Sequence, residues 1–168
     1  LEACMVSMAE MMKSRAQPLD FVIPTVLRGT VTALVGPGGA GKSGFALQTA
    51  ISVAIGRDVY NLWGDPDKPV TIKKGKVLYI SAEDGREVVT NRVKVACKKL
   101  TRAQRRNAIE NVQWFFPEGF GIVKRSNGQL VESDWITDLH KFLREMPEKP
   151  RLIIIDTLNR SLGDANEN

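Results

Sequence analysis

Histidine is all but absent from this chain. A single histidine, His140, among 168 residues excludes a His-rich zinc site. Cysteine is scarce as well. Cys4 and Cys97 stand far apart and in no pairing motif, so no disulfide framework is expected, and they read as reduced thiols of a cytoplasmic protein. No apolar run approaches the ~20 residues that a membrane helix needs, which removes the membrane as an expected partner. No charged-then-apolar leader opens the chain. No internal repeat or low-complexity tract runs through it. The rest is ordinary: 43% hydrophobic and 26% charged residues is a globular composition, at the length of one domain or most of one.

One octapeptide stands out from this background. Residues 36–43 read GPGGAGKS, a complete G-x-x-x-x-G-K-[S/T] phosphate loop with Gly36, Gly41, Lys42 and Ser43 at the defining positions. Such a loop wraps backbone N–H groups around the phosphates of a nucleotide, and small residues let the chain approach closely. Gly36, Pro37, Gly38, Gly39, Ala40, Gly41, Lys42, Ser43 and Gly44 are therefore the candidate ATP-binding residues. Lys42 reaches the phosphates as a point charge. The Ser43 hydroxyl completes the shell of a Mg2+ ion that also binds phosphate oxygens. The flanks fit: TVTALV (30–35) reads as a buried parallel strand, and SGFALQTAISVAI (43–55) as a helix that Gly56 stops.

Further along, KVLYIS (76–81), NVQWFF (111–116) and LIIID (152–156) read as strands, the last fully buried. EVVTNRVKVACKKL (87–100) puts Val89, Val93, Ala96 and Leu100 on one helical face. Thr101 and Gln104 form a capping box that starts a second helix. Asn127-Gly128 marks a hairpin. SDWITDLHKFLREM (133–146) places Trp135, Leu139, Phe142, Leu143 and Met146 at helical spacing, capped by Ser133 or Asp134 and ended by Pro147. PLDFVIPTVLRG (18–29) is an extended lead-in, and 61–75 a loop. Residues 1–17 read as an N-terminal arm. Met5, Met8, Met11 and Met12 could begin a short helix there, but a loose arm packed on the core is the preferred reading. Strands alternating with helices give an α/β fold with a mostly parallel sheet.

Two more elements carry candidate chemistry. Asp156 ends an apolar strand, and ligands of such sheets bind outside the carboxyl ends of the strands. There it would hold the magnesium, usually through water. A plain strand-end turn cap is the alternative. YISAEDG (79–85) sets Glu83 and Asp84 directly after another strand. Glu83 is the candidate base for an attacking water, with a helix cap as its alternative. Asp84 is the better cap.

Together GPGGAGKSGFALQTA, LYISAEDGREVVTNRV and LIIIDTLNRSLGDANEN resemble the RecA-type ATPases, specifically the group around the plasmid replicative helicase RepA. The likeness runs over residues 18–168, including the lead-in. It implies a RecA-like P-loop NTPase domain over 18–168. It also implies a homo-hexameric ring with ATP at the subunit interfaces, and single-stranded DNA as partner. In that family the carboxylate matching Glu83 is catalytic, and the aspartate matching Asp156 coordinates magnesium. Thr157 and Arg160 match the box without a defined role. The family's sensor strand and Arg finger do not follow Asn168. That strand lies between the loop strand and the Asp156 strand, so a chain opening on Leu1 and closing on GDANEN is expected to be a fragment with an unpaired sheet edge.

Charge is uneven. Residues 86–106 hold eight basic residues and one acid, net +7, which leaves −2 on the remainder of a chain at +5. A basic block can serve nucleic acid, but a solvated helix face is the preferred reading of this segment alone. Two rivals to a DNA motor remain open: a P-loop kinase for a small molecule, and a nucleotide-gated assembly or regulatory module with slow turnover. Kinase sheets put the loop strand directly beside the Asp strand.

Overall fold

Every residue from Val77 to Ser81 is buried, because this strand lies between two parallel neighbours with helices over both faces. The computed structural model describes residues 5–65, 67–68 and 70–157. In chain order it holds α1 (Met8–Lys13), β1 (Phe21–Ile23), β2 (Val26–Leu27), α2 (Lys42–Ile55), β3 (Val77–Ser81), α3 (Arg86–Ala96), α4 (Arg102–Asn111), β4 (Val112–Phe115), β5 (Val123–Ser126), β6 (Gln129–Glu132), α5 (Asp134–Glu145) and β7 (Leu152–Asp156).

The central sheet is parallel and runs β4-β3-β7. Side chains alternate across it. Val77 and Tyr79 face α2 and join Val22, Ala50, Val53, Ala54 and Ile72. Leu78 and Ile80 face the other way, onto Phe120 and the α5 residues Trp135, Leu139 and Leu143. A third cluster joins Leu47 and Ile51 of α2 to Leu100 and to Ala108 of α4. The architecture is therefore helix, sheet, helix, as the alternation of elements predicts. Fully buried aliphatics such as Ile51 and Ile80 contribute about 1.5–3 kcal/mol each.

Local signals become local structure. Thr101 and Gln104 form both bonds of the capping box that opens α4. Asn127 (φ 51°) and Gly128 (φ 77°) make the two-residue turn between antiparallel β5 and β6, where both central residues need positive φ. Gly56 closes α2, its amide donating to the Ser52 carbonyl at 2.8 Å. Ser133 precedes α5, but its hydroxyl makes no cap bond to that helix. It donates to the Gly121 carbonyl.

Four expectations fail. TVTALV is not a strand: residues 30–35 join no ladder, and Val31 and Val35 are 102% and 86% exposed. A buried parallel strand needs partners on its edges and cover on its faces, and no described strand offers them here. For the same reason β7 is only partly buried, with Ile153 exposed; its one described partner is β3. Among the described residues nothing pairs with its other edge, as expected beside the Asp156 strand. Phe142 lies on the exposed side of α5, because the face that meets the sheet is narrower than the apolar stripe. The methionine arm does form a short helix, α1, with a Ser7–Glu10 capping box. It buries none of its residues and does not pack on the core.

The lead-in is tied to the sheet through Asp20. Its carboxylate accepts from Arg151 at 2.6 Å and from Lys73 at 2.8 Å, and Arg151 also donates to the Phe21 carbonyl at 2.9 Å. The hydrogen bond from Arg151, then that from Lys73, holds the Asp20 carboxyl well below its ordinary value of 3.8. The stability it contributes is thus fully present above that value and lost as the pH falls through the depressed one. Asp20→Asn should lower the urea midpoint at pH 7 and flatten the acid limb of a midpoint-against-pH curve. An acid limb as steep as that of the wild type would remove Asp20 from this role.

Candidate nucleotide site

The loop leads straight into α2. Gly39 (φ 74°) and Gly41 (φ 83°) take left-handed backbone, which side-chain-bearing residues rarely adopt. Gly41 is the residue before the helix, and no side chain caps the first amides. Those N–H groups, with the positive end of the helix dipole, suit an anion. No acidic residue occupies the first turn to oppose it. Lys42 folds over the loop, its Nζ donating to the carbonyls of Gly36 and Pro37 at 2.8 Å each.

The loop and the Asp strand meet. Ser43 Oγ donates to Asp156 Oδ1 at 3.1 Å across 113 residues of sequence. Asp156 is 9% exposed, and no salt bridge reaches it among the described residues. Its other oxygen, Oδ2, accepts from the Tyr79 hydroxyl at 2.7 Å. Burial, and next that hydrogen bond, push the Tyr79 phenol far above its ordinary range, so it remains a donor at any working pH. A hydroxyl and a carboxylate at hydrogen-bonding distance, all oxygen and with no neutralising cation among the described residues, fit a magnesium ion. Such an ion takes one or two carboxylates and leaves its remaining positions to phosphate and water.

Glu83 sits at the same edge. Ser81 pairs in register with Asp156, and the Ala82 amide donates to the Asp156 carbonyl at 2.7 Å, so the chain leaves β3 pinned against the end of β7. Glu83 follows, exposed and without a hydrogen bond or ion pair among the described residues. It does not cap α3, and neither does Asp84: the residue before that helix is Gly85, with no side-chain cap bond. Asp84 instead pairs with Arg92, two turns along α3. An ion-pair partner at that distance outcompetes the weaker attraction of the helix end.

Residues 36–44, Glu83 and Asp156 thus lie along one edge of the fold, with Ser43 and Asp156 in direct contact. Thr157 follows half-buried; Arg160 and Cys4 fall outside the described residues. Tyr79 is the residue that sequence reasoning missed. Its signal was a polar-tipped aromatic two positions before Ser81 on an otherwise aliphatic strand. That pattern gains meaning only once β7 is known to lie alongside.

No helix among the described residues is long and apolar enough to cross a membrane. A protein-family model described as an AAA domain matches residues 2–168.

Proposed function

Since this chain belongs to the AAA-domain family and is a nucleotide-binding ATPase domain of P-loop, RecA-like fold, we propose that it hydrolyses ATP as the motor of a plasmid- or phage-type replication helicase acting on single-stranded DNA. The observation that carries the hydrolytic site is the contact of Ser43 with Asp156. It joins the phosphate loop to the acidic strand end, which neither motif alone requires.

The α2 amides and Lys42 hold the β- and γ-phosphates. Ser43 and Asp156 hold magnesium, which neutralises phosphate charge when bound. Glu83 orients a water and takes its proton while the water oxygen bonds to the γ-phosphorus and the bond to the β–γ bridging oxygen breaks. ADP and inorganic phosphate leave. An exposed carboxylate with no partner among the described residues suits that task, because it can turn toward a water. The residue range 18–168 serves as this motor domain, with 1–17 as an arm. The hexameric ring with nucleotide at its interfaces follows from the family likeness.

A kinase is less well supported. It would set the loop strand beside the Asp strand, and 30–35 makes no ladder with β7. DNA has support of its own. Of the eight basic residues in 86–106, Arg92 pairs with Asp84 and Arg105 donates to the carbonyls of Cys97 and Lys98. The other six are exposed and without such partners among the described residues. Two of the six, Arg86 and Lys94, line a groove of about 510 Å³ together with Trp114 and Phe116. Basic and aromatic side chains together are what single strands engage.

Hydrolysis should rise when single-stranded DNA is added. Lys98→Glu with Lys99→Glu should weaken DNA binding and flatten its salt dependence by roughly two phosphate contacts, leaving DNA-free turnover in place. Turnover indifferent to DNA would end the motor reading, and an unchanged salt slope would return the block to a solvated face.

A further inference from the structure

We infer that Tyr79 is a positioning residue for the nucleotide site, fixing the Asp156 carboxylate in the orientation that holds magnesium against the phosphate loop. This rests on the site reading above. The two oxygens of Asp156 have separate partners. Oδ2 accepts from the Tyr79 hydroxyl at 2.7 Å, and Oδ1 faces Ser43 at 3.1 Å. Since Tyr79 engages one oxygen, rotation of the carboxylate is restrained and Oδ1 stays turned toward the loop.

The phenol is itself held rigidly. Tyr79 is 2% exposed, lies in the cluster between α2 and the sheet, and packs on Trp114 with ring centroids 4.7 Å apart. In register it sits opposite Ile154, two positions before the pair Ser81 and Asp156. The phenol therefore spans about 6.5 Å along the strand to reach the acid. Packing alone does not explain the hydroxyl, because phenylalanine would fill this space equally well. A buried carboxylate with no ion pair among the described residues does need a donor. Partners of metal-holding carboxylates that lie one bond further out commonly set metal affinity.

The test is magnesium dependence, read by binding of a fluorescent ATP analogue to the full chain. In Tyr79→Phe, nucleotide affinity in EDTA should match the wild type. The magnesium concentration that gives the half-maximal gain should rise about tenfold or more. In an Asp156→Asn background the same change should add nothing, since its effect passes through that carboxylate. Unchanged magnesium dependence in Tyr79→Phe, or a full additional effect in the Asn background, overturns the inference.

A second measurement needs no change at Tyr79. The chain has two tyrosines, and the other, Tyr60, donates to the Ala96 carbonyl. With tyrosine labelled with carbon-13 at the hydroxyl-bearing carbon, adding magnesium to the nucleotide complex should move the Tyr79 resonance and leave that of Tyr60. A stationary Tyr79 resonance overturns the inference even if the phenylalanine variant fails to fold. A wild-type chain that binds no nucleotide would instead bring down the site reading, and this inference with it.

Discussion

Lys42→Ala should leave the domain folded and lose ATP. Lys42 is half-buried at the start of α2, its side chain's described bonds run to the Gly36 and Pro37 carbonyls, and alanine is the best helix former. The thermal midpoint should therefore stay close to that of the wild type. Binding is another matter. The Lys42 ammonium sits over the loop, where phosphate charge would collect. A charge-assisted hydrogen bond contributes about 1.5–3 kcal/mol, and one ammonium can donate to two phosphate oxygens at once. Losing both weakens binding by about 100-fold or more. Calorimetric titration with ATP reads this directly. An affinity equal to that of the wild type would mean that the loop does not hold phosphate, and the roles of Ser43 and Asp156 would fall with it.

The parts of this fold that were legible in sequence are those whose cause is local. A capping box states its own helix start, and Thr101 and Gln104 do so. An Asn-Gly pair states its own turn. The phosphate loop needs only its glycines and the helix that follows. Strand status is different, because it is conferred by neighbours. Residues 30–35 have the apolar, β-branched pattern of a core strand, yet Val31 and Val35 face solvent where no described strand pairs with them. LIIID has a similar pattern and is a strand because β3 lies beside it.

The same distinction separates the candidate site residues. Lys42, Ser43 and Asp156 are named by short motifs, whereas Tyr79 is defined by a register between strands more than 70 residues apart. Asp84 looked like a helix cap because of its position in the chain. Its actual partner, Arg92, competes for it eight residues further on, beyond the reach of the capping pattern.

Glu83→Gln should separate binding from chemistry. Glutamine has the shape of glutamate and cannot take a proton from water. Glu83 is exposed and bonded to nothing described, so the exchange costs the fold nothing that can be identified. Affinity for ATP with magnesium should hold, because the α2 amides, Lys42, Ser43 and Asp156 all remain. Turnover should fall by about 10²–10⁴-fold, the usual contribution of a general base, both with and without single-stranded DNA. Asp156→Asn would behave differently, losing magnesium-dependent affinity together with rate. The split between the two carboxylates is thus the signature of a hydrolytic site with one base and one metal-holding acid. A kinase would show instead a phosphorylated acceptor, and a slow-turnover module would show little rate for Glu83→Gln to remove. Full turnover in Glu83→Gln would make Glu83 a solvent-facing residue after β3 and return the search for the base to groups that approach this edge from elsewhere.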